Sequence, residues 1–249
     1  MTEIIINRRF RGPPNSGNGG YVCGMLAKQI GSNALAAEVT LHKPIPLDLS
    51  LTVLGSPDDI LEMRSGDDLI ATARATELSL DDLPRASFAE ATAASRETPF
   101  TEANHDVSGC FVCGPARKPG DGLRILAGPL AADPTIYASH WIPGEDLASP
   151  DDPDGLVSSE FIWSCLDCPT GHVLLGGNFE DGASDGDGDQ DTTILLGRMS
   201  AHIIARPRPG DHCIITAQPG PRSGRKWLAD GALSRGLVSM YVAMQSESL

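Results

Sequence analysis

Asp167 stands in the run FIWSCLDCPTG, with Trp163, Cys165, Leu166 and Cys168 around it. A carboxylate taken out of water among such neighbours costs free energy unless it has a partner or a role. It is the first candidate for a catalytic group. Gly19 and Gly20 come just before an apolar segment of helical spacing. The unpaired N–H groups of such a helix start bind an oxyanion or a phosphate. Ser158 and Ser159 precede a second such segment, with Glu160 in its first turn. Ser is a good N-cap, and Ser159 is carried both as a cap and as a ligand-facing hydroxyl.

Two C-x-x-C pairs, Cys110/Cys113 and Cys165/Cys168, form the pattern of a zinc site when each sits in a turn. Here a long stretch, from Gly114 to Ser164, separates the pairs, and the second falls at the end of a helical segment. No metal is therefore expected, and the context is not that of a thioredoxin-like redox pair. Asp185, Asp187, Asp189 and Asp191 imitate a calcium loop. The frame starting at Asp185 fails, with Gln190 where Gly is required and Leu196 where Glu is required. The six His residues contain no H-x-x-x-H pair. The expectation is a protein without a cofactor.

The 33 acidic residues exceed the 19 basic ones by 14, and the 14 acidic residues between Ile125 and Gly197, a stretch without Lys or Arg, carry all of that excess. Such a charge disfavours nucleic acid, whose binding relies on phosphate neutralisation. It leaves room for one anionic small ligand at a local basic cluster. Arg8, Arg9 and Arg11 form one cluster, and Arg222, Arg225 and Lys226 another; the alternative for both is solvated surface. No apolar run has membrane-spanning length, and the N-terminus shows no secretory pattern. Six cysteines without such a signal point to free thiols and the cytoplasm.

The elements that position these residues come in two copies. KPIPLD (Lys43 to Asp48) and RPRPGD (Arg206 to Asp211) share the pattern cation-Pro-x-Pro-x-Asp, each with an apolar stretch before and after. The offset that carries Lys43 onto Arg206 is about two thirds of the chain length. GDDLIATARATEL (Gly66 to Leu78) and RGLVSMYVAMQSE (Arg235 to Glu247) echo each other further on. Self-similarity at this period implies two copies of one unit. The first unit, 1–80, reads as a strand over 3–10, a helix over 21–30, and strands over 34–54 and 60–78. Residues 81–108 read as a polar linker carrying at most a short helix. The second unit, 109–249, reads as a hairpin over 122–143, a helix over 157–168 ended by Pro169 and Gly171, and strands over 172–179, 192–205, 212–218 and 225–245. The two helices align with Tyr21 on Phe161 and Leu26 on Leu166, a shorter offset than that of the motifs. The second unit therefore carries an insertion between its helix and its motif. The acidic segment 180–191 lies there and reads as an exposed loop.

A strand, one long helix and a curled run of antiparallel strands is the layout of the hotdog fold, an α+β architecture. GPPNSGNGGYVCGMLA (Gly12 to Ala27) resembles the Gly-Gly helix start of acyl-CoA thioesterases of that superfamily. CFVCGPARKPGDGLRI (Cys110 to Ile125) resembles the C-x-x-C-G-P…G-L segment of thioesterase-like hotdog domains. The resemblance implies a tandem, double hotdog that acts on acyl-CoA or a related acyl thioester. It implies that Asp167 orients or activates water, with Gln245 of the last strand and a hydroxyl completing the site. Repeat alignment sets Asp167 against Ala27 and Gln245 against Glu77, so one unit alone carries the carboxylate. It puts Gly197 where the hydroxyl belongs, leaving Thr170, Ser200 or Thr193 as substitutes. Two other functions stay open. One is the hydratase or dehydratase of the same fold, which the resemblance ties to an Asp-His pair absent from both helix starts. The other is a non-catalytic acyl-thioester binding protein. Assembly into a homo-oligomer is also left open.

Overall fold

The computed structural model describes residues 2–31, 36–56, 59–78, 83–150, 152–176, 194–224, 226–235 and, for the backbone, 242–248. The acidic segment 180–191 and Thr193 lie outside the described residues.

In the first unit β1 (Thr2–Ile5) leads to α1 (Gly19–Ala27) and then to β2 (Ala36–Leu41), β3 (Ser50–Leu54), β4 (Leu61–Ser65) and β5 (Asp68–Thr76). Then comes α2 (Phe88–Arg96). The second unit holds β6 (Gly128–Pro129), β7 (Tyr137–Trp141), α3 (Ser159–Gly176), β8 (Leu196–Ile203), β9 (Cys213–Ser223), β10 (Lys226–Arg235) and β11 (Val242–Ser248). Among the described residues these strands make one antiparallel sheet in the order β1-β3-β4-β5-β2-β8-β11-β10-β9-β7-β6. From either end to the middle the connectivity is the same, with β6 as an extra edge strand.

The two halves join where β2 pairs with β8, and the register there carries the repeat. Ala37 faces Ala201 and Glu38 faces Ser200. The offset that carries Lys43 onto Arg206 also carries Ala37 onto Ser200 and Glu38 onto Ala201. A pseudo-two-fold axis therefore exchanges the two pairs. The aspartate that ends each repeated motif has a matching job. Asp48 accepts from the Arg8 N–H (2.9 Å) and Nε (3.2 Å). Asp211 accepts from the Arg208 N–H (2.7 Å) and Arg235 Nη1 (2.8 Å). Each ties the turn after the central strand to a neighbouring stretch of chain.

Both central helices lie on the sheet and on each other, α1 over β2 and β5 and α3 over β9 and β10. Their crossing is close because α1 offers glycine. A Cβ at Gly20 would stand 2.7 Å from Asp167 Cβ and 2.8 Å from the Trp163 carbonyl oxygen, and one at Gly24 would stand 2.5 Å from Glu160 Cα. Gly20 meeting 163–167 while Gly24 meets 160 makes the helices antiparallel. Val22, Leu26, Val39 and Met63 of the first unit merge in one buried cluster with Phe111, Ile162, Leu166, Met199 and Leu233 of the second. The copies are repeats in topology that share one core.

Several expected elements differ. The first strand stops at Ile5, and Arg8–Phe10 forms a 3-10 turn because the Asn7 side chain accepts from the Arg9 N–H. The linker carries a helix with a full capping box from Ser87 and Glu90, and its Ala91 and Ala94 are buried against β7 and β9. Of the expected arm over 122–130 only Gly128–Pro129 pairs as strand. The helix α3 runs through Pro169 to Gly176 instead of stopping, and the strand expected over 172–179 does not form in the described residues. His172, Val173 and Leu174 are buried there, Val173 and Leu174 against Tyr137, Ala217 and Ala229. That packing outweighs the helix-breaking tendency of Pro. The run over 225–245 divides into β10 and β11.

Candidate active site

The site is built at the start of α1. Asn18 caps the helix, its Oδ1 accepting from the Tyr21 N–H at 2.9 Å. That leaves its amide free to turn outward, and Nδ2 donates to Asp167 Oδ2 at 3.0 Å. The Gly20 N–H donates to the same oxygen at 2.8 Å. The carboxylate of α3 thus sits on the positive end of α1, where main-chain donors and the helix dipole favour negative charge. Asp167 retains some contact with solvent. The surrounding protein still desolvates the carboxyl and pushes its pKa up to about 6, against the Gly20 and Asn18 hydrogen bonds that pull it down and with the nearby Cys110 adding to the rise. Among the described residues Oδ1 has no protein hydrogen-bond partner. A carboxylate with one oxygen fixed and the other open can hold and deprotonate a water.

The other expected residues divide. Gly20 spends its N–H on Asp167 and is not an oxyanion donor. The Gly19 N–H has no protein acceptor among the described residues, so it remains the donor at this end of α1. Thr170 is buried, and its Oγ1 donates to the carbonyl oxygens of Leu166 (3.2 Å) and Asp167 (2.7 Å), turning the hydroxyl onto its own helix. Ser159 opens α3, two turns before Asp167, which is about 12 Å along the axis. It is not brought to the carboxylate, and among the described residues neither Ser158 nor Ser159 makes a side-chain cap. Gln245 lies on β11, paired with Ser200 of β8 and Asp230 of β10. The sheet register sets Gln245 against Ala75, since Ala37 pairs with Ala75 as Ser200 pairs with Gln245. The alignment with Glu77 slips by two positions, which keeps the same face of the strand. Ser200 is buried at the seam, 3.5 Å from Glu38 Oε2.

A cleft of about 660 Å³ opens beside the start of α1, and Arg8, Arg9, Arg11, Arg117 and Lys118 bring five cations to it. Asp106 and Asp121 are the acidic residues of its lining. Arg9 pairs with Asp146 at 2.7 Å and Arg117 with Asp121 at 3.3 Å, while Arg11 and Lys118 have no ion pair among the described residues. Two glycines of its lining are near residues around the carboxylate. Gly12 stands against Asn18, where a Cβ would come within 3.2 Å of Asn18 Cα, and Gly109 precedes Cys110. The other basic cluster differs: Arg222 stacks over Trp227 at 4.2 Å, and Arg225 lies outside the described residues. A larger cavity of about 810 Å³ lies between α2 and β9, by Phe88, His212 and Arg235, and holds none of the candidate residues.

Three of the four C-x-x-C thiols meet beside the carboxylate. The sulfurs of Cys110, Cys113 and Cys168 lie within 4.8 Å of one another, and Cys110 Sγ is 3.7 Å from Cys168 Sγ. Their separation in sequence disappears because the turn at Cys110 packs on α3. Cys165 stays apart, donating to the Ile162 carbonyl oxygen at 3.1 Å. Among the described residues two groups could hold a metal, Cys110 with Cys113 and Cys168, and His105 with Cys113 and His172, and they share Cys113. The sequence reading also passed over Asn18, although an Asn directly before Gly-Gly is an N-cap signal.

No protein-family model and no curated protein sequence matches the chain. Solved structures do match. An acyl-CoA thioesterase II, TesB2, from Mycobacterium marinum superposes with a TM-score of 0.59 at 10% identity over 99% of this chain and 91% of that one. A conserved hot dog fold protein of unknown function from Alicyclobacillus acidocaldarius gives 0.57 at 12% identity, over 99% and 91%. The tesB protein of Mycobacterium avium subspecies paratuberculosis gives 0.56 at 13% identity, over 95% and 88%. With the sheet order above, this likeness makes the fold a double hotdog. No helix among the described residues is long and apolar enough to cross a membrane.

Proposed function

We propose that the chain hydrolyses acyl-CoA or a closely related acyl thioester, with Asp167 as general base. The observation that carries this reading is the fixed Oδ2 of Asp167, held by the Gly20 N–H and the Asn18 amide, beside an Oδ1 that makes no hydrogen bond among the described residues. A water on Oδ1 attacks the thioester carbonyl carbon and gives its proton to Asp167. The carbon–sulfur bond then breaks, and the proton passes to the departing thiolate. A carboxylic acid and a free thiol result. The Gly19 N–H supports the oxyanion that forms between these steps. The basic cleft takes the phosphates of the nucleotide, since its cations outnumber its acids and Arg11 and Lys118 have no ion pair among the described residues. Gln245 is kept as a contributor to the same site. The described His residues make no hydrogen bond to Asp167, which speaks for hydrolysis over hydration of a double bond. We place the protein in the cytoplasm, where its described thiols stay reduced, and the acidic net charge keeps nucleic acid outside its partners.

The test is thiol release from a series of acyl-CoA chain lengths by the purified protein. Release that falls in Asp167→Asn with acyl-CoA binding retained supports the reading. Binding without thiol release at any chain length would make the chain a carrier or sensor of acyl thioesters.

A further inference from the structure

Cys110, Phe111, Val112, Cys113 and Gly114 form a tight turn in which the Gly114 N–H donates to the Cys110 carbonyl oxygen at 2.9 Å. Gly114 is required there, because a Cβ would stand 2.3 Å from the Cys110 oxygen and 2.6 Å from that of Ser108. The turn points the main-chain N–H groups of Val112 and Cys113 at Cys110 Sγ, and Asn18 Nδ2 lies 3.9 Å from the same sulfur. Cys168 comes to the turn from α3. Cys110 and Cys113 are buried and Cys168 is partly exposed. Among the described residues none of the three thiols finds a carbonyl acceptor, whereas Cys165 in the same helix does. Their hydrogen-bonding capacity is directed at one another, and the donors around them suit sulfur that carries negative charge. Zinc–sulfur bonds of about 2.3 Å in a tetrahedron set the sulfurs about 3.8 Å apart. Cys110 and Cys168 stand 3.7 Å apart.

Two histidines flank Cys113, and His105 Nε2 is 3.2 Å from its sulfur. Each ring accepts a main-chain N–H on Nδ1, His105 from Val107 at 3.1 Å and His172 from Ala127 at 3.2 Å. An accepting Nδ1 puts the proton of the neutral ring on Nε2. His105 then faces Cys113 as a donor. We propose that Cys110, Cys113 and Cys168 bind one zinc ion as thiolates, with His105 as a hydrogen-bonding neighbour of Cys113 and the fourth position left to solvent. Three thiol protons leave as the ion enters. The ion joins the turn at Cys110 to α3 next to Asp167, which fixes the frame that carries the carboxylate. This inference stands apart from the hydrolytic reading, because its readout is metal binding.

The test uses the full chain purified under reducing conditions without added chelator. Elemental analysis is expected to find one zinc per chain, and Co²⁺ exchange to give a thiolate-to-cobalt charge-transfer band. Cys110→Ser and Cys168→Ser remove the band, and Cys165→Ser retains it. His105→Ala keeps the stoichiometry and the band while metal affinity falls by about 10–100-fold. Should the serine variants not fold, wild-type protein stripped of metal and refilled reads out the same band. Wild-type protein with neither stoichiometric zinc nor a cobalt band overturns the proposal. So does a Cys110–Cys168 disulfide in protein kept reduced, a band that survives Cys168→Ser, or complete loss of binding in His105→Ala, which would make the histidine a ligand.

Discussion

The Gly20 main-chain N–H donates to Asp167 Oδ2 at 2.8 Å across the crossing of the two central helices. This contact joins the pseudo-symmetric halves. The helix start of the first unit supplies the donors, and the second unit supplies the acid. An Asp167→Asn variant keeps the size and the crossing but loses the base. Turnover is expected to fall by roughly 10²–10⁴-fold with acyl-CoA binding nearly unchanged, as measured by thiol release and direct binding. Gln245→Ala is expected to lower turnover as well, and non-additivity of the double variant would place both at one water.

Asn18 does two jobs, and one substitution separates them. Asn18→Ser keeps a side chain able to cap α1 but removes the amide donor to Asp167. Helix stability in thermal unfolding should change little, while kcat falls roughly tenfold or more. Asn18→Ala is expected to lose both, with about 0.5–2 kcal/mol of stability. Full activity in Asn18→Ser beside a loss in Asn18→Ala would show that Asn18 matters only as a cap.

Gly24→Ala tests the crossing without touching the carboxylate. The new Cβ would stand 2.5 Å from Glu160 Cα, which is backbone and cannot turn aside. A loss of about 1–3 kcal/mol in denaturant unfolding is expected. An unchanged midpoint would mean that the helices separate at little cost.

Arg11→Ala and Lys118→Ala test the basic cleft. KM for acyl-CoA should rise about threefold to tenfold for each, with kcat retained. A short acyl thioester lacking the nucleotide should show no such change. A matching rise with the truncated substrate would remove the cleft from substrate binding.

Asp211 gives the repeated motif a pH signature. Burial pushes its carboxyl up, but the Arg208 N–H and the Arg235 guanidinium outweigh that and hold it below the ordinary range. An unfolded Asp titrates at about 3.9. With the folded value lower, the contact contributes stability above the unfolded value and loses it as pH falls through the folded one. Asp211→Asn should therefore be less stable than wild type at neutral pH and converge with it in acid. A stability difference that grows toward low pH would contradict the assignment.

The repeat of the Pro-x-Pro motif was legible because it follows the central strands, whose register at Ala37 and Ser200 obeys the pseudo-two-fold axis. Asp167 was legible because a carboxylate among Trp, Leu and Cys is conspicuous. The partners of Asp167 were hidden, since Gly20 and Asn18 reach it only through a helix crossing. Pro169 misled because tertiary packing of Val173 and Leu174 carries the helix beyond it. The slip at Gln245 has a similar origin, as nothing local fixes the length of chain between β10 and β11. Distance in sequence also kept Cys113 and Cys168 apart, though the fold brings their sulfurs within 4.8 Å.

The most direct test of the central claim is thiol release from acyl-CoA by wild-type protein and by Asp167→Asn, assayed side by side at equal, folded concentrations. The account predicts steady turnover by the wild type at one or more chain lengths and a loss of at least roughly 10²-fold in the variant. Equal turnover by the two proteins, or none by either with acyl-CoA bound, would contradict it.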